Sequence, residues 1–312
     1  MPASGTGPQG PPGPHGPVNR ITNAQIALLR WDQDPGRAGT YATGAAPRGI
    51  AYDGTNIWVA NRNSNTVSKI NPDTGTRTDY PTGTNPESIA FDGTNVWVAN
   101  YASNTVSKID PTTGATINAY PTGAGPQGVA FDGISIWVTN FGDDTVSKID
   151  PATGTRTDHP TGASPWGIAY DGTNIWVANY VSNTVSKIDP TTGVTINAYP
   201  TGAGISRPAG VAYDGTNIWV TNANDNSVSQ IDPATGAKTD HALNNLFPVG
   251  VAYDGTNIWV AQANGVISTI NPNNGALTDY GAGSGAWGVV YDGTNIWVTN
   301  SSGDNVSKIN PG

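Results

Sequence analysis

Short apolar blocks alternate with polar segments rich in glycine and proline along most of this chain. The clearest block has the sequence Tyr-Asp-Gly-Thr-Asn-Ile-Trp-Val and first occurs at residues 52–59. Its tryptophan recurs in close copies of the block, at Trp58, Trp97, Trp137, Trp176, Trp219, Trp259 and Trp297. Because successive copies lie 38 to 43 residues apart, the pattern predicts a tandem array whose units bury their apolar faces against each other.

One repeat, residues 47–85, predicts four short strands joined by tight turns. Asp53-Gly54 supplies the positive φ values of a hairpin between the first and second strands. The second strand is a continuous apolar run, so both of its faces are predicted to be buried. A turn with proline and glycine separates the third strand from a more polar fourth strand. The four predicted strands cover residues 49–52, 56–61, 66–70 and 76–80.

Four antiparallel strands per repeat, the second buried on both faces, are typical of one blade of a β-propeller. The predicted fold class is therefore all-β: a seven-bladed β-propeller of four-stranded antiparallel blades. The fourth-strand slot is also filled seven times, by Tyr41, Tyr80, Tyr120, His159, Tyr199, His241 and Tyr280.

The last blade is predicted to contain both ends of the propeller. The C-terminal repeat, residues 286–312, stops after its third strand, so the N-terminal strand near Tyr41 supplies the fourth. Two segments match the third strand of this closing blade, residues 25–31 and residues 306–309. We favour the C-terminal segment and keep the other as an alternative.

Residues 1–20 are predicted to be a separate extension, and residues 21–312 to form the propeller. From Gly7 onward glycine recurs every third residue with proline between, as a collagen triple helix requires. The extension is either the stub of a longer collagen-like stalk or a flexible linker. A stalk would make the protein a homotrimer, with the propeller itself monomeric.

Charge and hydropathy exclude several classes of partner. The net charge is −9, and the 14 basic residues are scattered through the repeats, whereas nucleic-acid binding needs a basic patch. No apolar run approaches the roughly 18 residues of a membrane span. Met1 leads into proline, glycine and serine, so no signal peptide is predicted in these residues. The chain has no cysteine, which excludes disulfides and thiol chemistry.

Residues 137–150, Trp-Val-Thr-Asn-Phe-Gly-Asp-Asp-Thr-Val-Ser-Lys-Ile-Asp, resemble the YVTN β-propeller repeat of bacterial and archaeal surface proteins. They are similar more distantly to NHL repeats and to virginiamycin B lyase-like propellers. The resemblance covers about residues 21–312 and implies a propeller displayed outside the cell or on the surface of a cell, spore or virion. The lyase-like relatives imply a metal-assisted elimination by histidine and glutamate near the central axis.

Few residues of this chain suit that elimination chemistry. His15 lies in the N-terminal extension, and His159 and His241 occupy the fourth-strand slot, far from the axis. Glu87, the sole glutamate, stands alone at the start of a first strand. Acid–base catalysis needs a base, a reacting group and an orienting partner within reach of each other. We therefore predict that the protein is not an enzyme and has no cofactor.

No metal site is predicted either. Most aspartates lie in Asp-Gly or Asp-Pro turns, where the side chain caps its own turn. No stretch has the ligand spacing of a calcium loop. Asp143-Asp144 and residues 224–226 offer oxygen ligands, but a solvated loop is the favoured interpretation.

Two sets of loops differ between repeats, whereas the Asp-Gly turns hardly vary. The slot before the first-strand glycine or serine holds Arg48, Glu87, Gln127, Trp166, Ala209, Val249 and Trp287. The slot after the second strand holds Arg62, Tyr101, Phe141, Tyr180, Ala223, Ala263 and Ser301. The loops between repeats add an insertion at residues 204–207 and a divergent stretch at residues 243–247. These loops are predicted to share one end of the ring.

Aromatic and arginine side chains at that end would suit a sugar or a peptide. The predicted ligand-binding residues are Trp166, Trp287, Tyr101, Phe141, Tyr180, Arg48, Arg62, Arg207 and Phe247. The leading hypothesis is a non-catalytic surface or extracellular adhesion module that binds a glycan or a protein. The alternatives are a lyase-like metal-dependent enzyme at the channel mouth, a structural spacer, and aromatic residues that only fill gaps between blades.

Overall fold

The structure, a computed structural model, describes residues 37–311, which form strands and turns without a helix. The first strands are β2 (Pro47–Tyr52), β6 (Pro86–Phe91), β10 (Pro126–Phe131), β14 (Pro165–Tyr170), β18 (Pro208–Tyr213), β22 (Pro248–Tyr253) and β26 (Ala286–Tyr291). The second strands are β3 (Ile57–Asn61), β7 (Val96–Asn100), β11 (Ile136–Asn140), β15 (Ile175–Asn179), β19 (Ile218–Asn222), β23 (Ile258–Gln262) and β27 (Ile296–Asn300).

The third and fourth strands complete each blade. The third strands are β4 (Thr66–Ile70), β8 (Thr105–Ile109), β12 (Thr145–Ile149), β16 (Thr184–Ile188), β20 (Ser227–Ile231), β24 (Val266–Ile270) and β28 (Asn305–Ile309). The fourth strands are β5 (Arg77–Pro81), β9 (Thr116–Pro121), β13 (Arg156–Pro160), β17 (Thr195–Pro200), β21 (Lys238–Ala242), β25 (Leu277–Gly281) and β1 (Arg37–Ala42). The described residues include no helix long and apolar enough to cross a membrane.

These strands form seven four-stranded antiparallel sheets, the blades of a β-propeller, as the sequence predicts. Blades 1 to 6 each use four consecutive strands, beginning with β2. Blade 7 has the order β1-β28-β27-β26, so both ends of the propeller meet in it. The C-terminal candidate for its third strand is thereby confirmed. The other candidate, residues 25–31, and the extension at residues 1–20 lie outside the described residues.

The second strands form the core because neighbouring blades cover both of their faces. All five residues of β3 are buried, as in the other second strands. Trp58 packs against Val96 and Val98 of blade 2, so the core lies between blades rather than within them. This arrangement explains why the second strand is apolar throughout instead of alternating.

The recurring block ties each core tryptophan to its own Asp-Gly turn. In blade 1 the indole Nε1–H of Trp58 donates to Asp53 Oδ2 at 2.6 Å. The other oxygen of Asp53 accepts the backbone N–H of Thr55 and of Asn56 at 2.8 and 2.6 Å. The same indole–carboxylate bond occurs in every blade. The aspartates therefore cap their turns, as predicted, and also satisfy a buried donor.

The fourth-strand slot packs on the same tryptophan from outside. Tyr80 lies 6.0 Å from Trp58, ring centre to ring centre, and His159 lies 5.8 Å from Trp137. His241 lies 5.3 Å from Trp219. Both described histidines are thus on fourth strands, as the sequence predicts.

Polar side chains join each blade to the next and close the ring. Lys69 Nζ of blade 1 donates to the carbonyl of Pro111 in blade 2 at 2.6 Å. The same contact crosses the closure, where Lys308 of blade 7 donates to Pro72 of blade 1 at 3.0 Å. The contacts between blades 7 and 1 therefore repeat those between blades 1 and 2.

Candidate functional site at the channel mouth

The two ends of the ring differ in the way the sequence predicts. One end consists of the Asp-Gly turns, and we call it the Asp-Gly face. The other end, the variable face, combines the joining loops between blades with the second-strand loops that follow each second strand. Backbone hydrogen bonds connect the two kinds of loop. In blade 1, Arg62 N–H donates to the Ala46 carbonyl at 3.1 Å, and Asn63 N–H donates to the Ala45 carbonyl at the same distance.

Each first strand pairs irregularly with its second strand near its beginning. In blade 4 the pairing of β14 with β15 shifts between Pro165 and Ile168, around Trp166 and Gly167. The other six first strands also shift register near this position. Such bulges redirect side chains and are common beside functional sites.

Close packing around the axis fixes the backbone of these slots. A Cβ atom added at Gly167 would lie only 2.0 Å from the carbonyl oxygen of Ala209 in blade 5. The Trp166 carbonyl accepts a hydrogen bond from Thr139 Oγ1 of blade 3 at 2.6 Å. Glycine is therefore required at position 167, because the backbone of blade 5 occupies the space of a side chain.

The first strands of all seven blades surround a cavity of about 240 Å³ at the axis. Most of its lining is glycine, valine and isoleucine. Its large or polar lining side chains are Glu87, Ser88, Gln127, Trp166 and Trp287. The cavity wall therefore combines apolar side chains with polar groups, and its largest side chains stand in the slot that varies between blades.

Four aromatic residues, Phe141, Trp166, Tyr180 and Trp287, meet at the mouth of this cavity, and we call them the aromatic cluster. Trp166 is central: its ring centre lies 5.0 Å from Tyr180, 6.1 Å from Phe141 and 6.2 Å from Trp287. The contact with Trp287 joins blade 4 to blade 7. All four side chains are half-buried, so they pack on each other and still present surface to solvent.

Arg48, Arg62 and Glu87 form a charged group beside the cluster. The Arg48 guanidinium lies 3.6 Å above the Trp287 ring, within range of a cation–π interaction. Arg62 Nε donates to Glu87 Oε1 in an ion pair. The expectation that Glu87 stands alone is therefore wrong, because blades 1 and 2 are neighbours and the loop after β3 brings Arg62 to Glu87 at the start of β6.

Burial sets the electrostatics of this group. Glu87 is 9% exposed, and burial raises the pKa of its carboxyl, although Arg48 and Arg62 act in the opposite direction. Burial likewise lowers the pKa of the Arg48 guanidinium, and Glu87 opposes that shift. Arg48 Nε is buried without a hydrogen-bond partner among the described residues. One carboxylate thus faces two guanidinium groups.

The remaining predicted residues are divided between the cluster and its surroundings. The exposed guanidinium of Arg207 lies 5.4 Å from the Tyr180 ring centre, next to the cluster. Tyr101 packs against Gly125 instead, and Phe247 lies in the joining loop before β22. Within the described range, no ring contact links Tyr101 or Phe247 to the aromatic cluster.

Backbone strain in the joining loops was not anticipated from the sequence. Arg207 and Phe247 have left-handed φ values of 52° and 59°. The equivalent residues of the other blades also have positive φ: Ala46, Asn85, Gly125, Ser164 and Gly285. Glycine and asparagine in this set are the signal that could have revealed the conformation, because both favour it.

Comparison with known proteins finds structures of the same fold but identifies no family. No protein-family model and no curated protein matches the chain. A streptogramin B lyase structure aligns with a TM-score of 0.77 and 20% identity, covering 87% of this chain and 96% of the lyase. Virginiamycin B lyase from Staphylococcus aureus aligns with a TM-score of 0.77 and 21% identity, covering 87% and 98%.

The chain shares the propeller fold of these lyases. Hydrazine synthase from Kuenenia stuttgartiensis aligns almost as well, with a TM-score of 0.75 and 20% identity, covering 86% of this chain and 97% of that one. At such identities the likeness concerns the fold alone, and one propeller fold carries unrelated activities.

The two described histidines and Glu87 lie on different strands of their blades. His159 and His241 lie on outer strands, and burial lowers the pKa of both imidazoles. Glu87 lies at the axis. In the described part of the chain, no three histidine, aspartate or glutamate side chains are grouped so that they could hold a metal ion.

Proposed function

We propose that the protein is a non-catalytic carbohydrate-binding module whose ligand lies on the variable face, against the aromatic cluster. One observation carries this proposal. Aromatic residues from blades 3, 4 and 7, in slots that other blades fill differently, converge on one partly exposed cluster at the channel mouth. The seven repeated tryptophans, in contrast, are buried in the core.

The chemistry of the cluster suits a sugar. A pyranose ring has apolar C–H groups on its faces and hydroxyl groups at its edge. The half-buried rings of Trp166 and Tyr180 offer apolar surface on which the C–H faces can pack. Gln127 and the loop amides offer hydrogen-bonding groups for the hydroxyls. Trp287 contributes less free surface because Arg48 covers one side of its ring and Trp166 contacts it as well.

The size of the cavity supports binding on an open surface. Pockets that enclose a small ligand usually measure about 300–1,000 Å³, whereas this cavity measures about 240 Å³. The ligand is therefore a chain that lies across the mouth. If the N-terminal extension continues into a trimeric collagen-like stalk, for which its glycine–proline triplets are suited, three propellers would gain about a hundredfold or more in avidity.

The test is a glycan array probed with the wild-type chain and matched variants. Trp166→Ala and Tyr180→Ala are expected to lose the glycans that the wild type binds. Tyr101→Ala is the control, because Tyr101 fills the Tyr180 slot in another blade without joining the cluster, and it is expected to bind normally. Circular dichroism verifies that each variant is folded. Absence of any glycan ligand, or equal loss in Tyr101→Ala, would contradict the proposal.

A lyase-type or hydrolase-type enzyme is the second candidate, favoured by Glu87. A buried carboxyl with a raised pKa beside a cavity is typical of acid–base catalysts, and Glu87 has both features. Turnover of a substrate by the wild type, abolished in Glu87→Gln with the fold intact, would establish this candidate. The ion pair between Glu87 and Arg62 instead favours a structural role for Glu87, in which its carboxylate joins blade 2 to blade 1.

A further inference from the structure

Arg207 differs from the other described cations in what its guanidinium contacts. Its one hydrogen bond is to the hydroxyl of Tyr180, at 3.5 Å, and within residues 37–311 no carboxylate pairs with it. Third-strand lysines such as Lys69 donate to a carbonyl of the next blade. The remaining cations of residues 39–311 stack on an indole, as Arg48 does, or pair with a carboxylate: Arg62 with Glu87, Arg77 with Asp79, Arg156 with Asp158, and Lys238 with Asp240.

Arg207 also adopts a backbone conformation that long side chains avoid. Its φ of 52° is left-handed, where glycine is least strained. The conformation is held by two hydrogen bonds: Arg207 N–H donates to Asn183 Oδ1 at 3.0 Å, and the Arg207 carbonyl accepts from Ala223 N–H at 3.1 Å. The same left-handed φ occurs at this slot in every blade, so the fold sets the conformation, and in blade 5 this slot presents an arginine on the variable face.

The position of Arg207 connects it to the aromatic cluster. It ends the insertion at residues 204–207, which lengthens the joining loop before β18. The guanidinium carbon lies 5.4 Å from the Tyr180 ring centre, and Tyr180 lies 5.0 Å from Trp166. A sugar ring resting on Tyr180 and Trp166 would therefore carry its substituents to the exposed guanidinium.

We propose that Arg207 binds the acidic group of a saccharide whose ring packs on Tyr180 and Trp166. This inference rests on the proposed carbohydrate-binding function and narrows its ligand to acidic sugars. The acidic group is a carboxylate or a sulfate, because both present paired oxygens to the two parallel N–H donors of a guanidinium.

The test uses an array that carries acidic glycans beside their neutral counterparts, with the carboxylate esterified or the sulfate removed. The wild type is expected to prefer the acidic member of a pair by about tenfold or more. Arg207→Gln is expected to abolish that preference and keep the binding of the neutral member. Carboxylated and sulfated pairs on the same array show which acidic group is recognised.

Two controls separate a direct contact from other effects. Arg156→Gln removes the same charge from the outer strand β13, and it is expected to keep the acidic preference. Arg207→Gly should lose the preference while its unfolding midpoint stays equal to the wild-type value or rises, since glycine relieves the left-handed strain. Ala46→Gly, the same slot in blade 1, should match that stability change with normal binding.

The outcomes distinguish this inference from the proposed function. Equal binding of acidic and neutral members by the wild type, with both lost in Tyr180→Ala, overturns the role of Arg207 and leaves the carbohydrate site intact. An equal loss of preference in Arg156→Gln also overturns it, because net charge would then explain the effect. The absence of any bound glycan overturns both proposals.

Discussion

Trp166 and Trp176 belong to the same blade and lie ten residues apart in sequence, yet their surroundings differ completely. Trp176 is fully buried, and its indole N–H donates to Asp171 at 2.6 Å. Trp166 is half-buried and contacts rings from blades 3, 4 and 7. The first environment recurs in every blade, and the second occurs once. The repeated residues therefore specify the ring of blades. The residues that differ between repeats, at the variable face, are the ones available to form a binding site.

The largest expected effect comes from truncating the two tryptophans separately. Trp176→Ala should lower the free energy of unfolding by about 3–5 kcal/mol, because it leaves a cavity between blades. Trp166→Ala should cost only about 1–2 kcal/mol, since its ring contacts lie at the surface. Urea unfolding followed by both fluorescence and circular dichroism measures each loss. Equal losses would mean that Trp166 is a core residue and not part of a separate site.

Two glycines of blade 4 sharpen the comparison between the axis and the Asp-Gly face. Gly167→Ala should cost about 2–3 kcal/mol, because its Cβ would meet the backbone of blade 5, only 2.0 Å from the Ala209 carbonyl oxygen. Gly172→Ala should cost about 1 kcal/mol from backbone strain alone, since φ is +90° and no atom lies within 4 Å of the added Cβ. The same unfolding measurement tests the order. A costlier Gly172→Ala would contradict the tight packing at the axis.

The smallest effect is a difference in pH dependence between the channel mouth and an outer strand. The Arg77 hydrogen bond lowers the pKa of Asp79 from its ordinary 3.8, against the effect of burial, so the stabilisation from Asp79 disappears as the pH falls through that lowered pKa. Burial raises the pKa of Glu87 above 4.5, so its contribution has the opposite sign. That contribution is present below pH 4.5 and is lost as the pH rises through the folded-state pKa.

Thermal unfolding from about pH 3 to pH 7 measures both contributions. Asp79→Asn should reduce the loss of stability at the acidic end, by less than about 1 kcal/mol for so exposed a pair. Glu87→Gln should reduce the stability that is lost as the pH rises above 4.5. If both variants changed stability at the same end of the pH range, the assigned environment of Glu87 would be wrong.

The regular part of the molecule could be predicted because it depends on short-range patterns. The tryptophan spacing predicts seven blades, and the incomplete C-terminal repeat predicts the pairing of β28 with β1. The positions of His159 and His241 follow from the same register. In a repeat array, each of these features is determined by a unit and its nearest neighbours.

The arrangement at the channel mouth could be predicted only in part. The variable slots identify the residues, but the contact between Trp166 and Trp287 joins blades that are far apart in sequence. The pairing of Arg62 with Glu87 likewise depends on how closely the loop after β3 approaches the start of β6 in the next blade. These distances are set by the curvature of the closed ring, which no single repeat encodes.

The most direct test of a binding site on the variable face is an indole ¹⁵N–¹H spectrum recorded during titration with a glycan identified on the array. Trp166→Phe and Trp287→Phe assign the two signals of the aromatic cluster. We expect those two signals to shift on binding while the signals of the seven core tryptophans stay in place, since each core indole is held by a turn aspartate. Binding that moves core signals and leaves Trp166 and Trp287 unchanged would contradict the account.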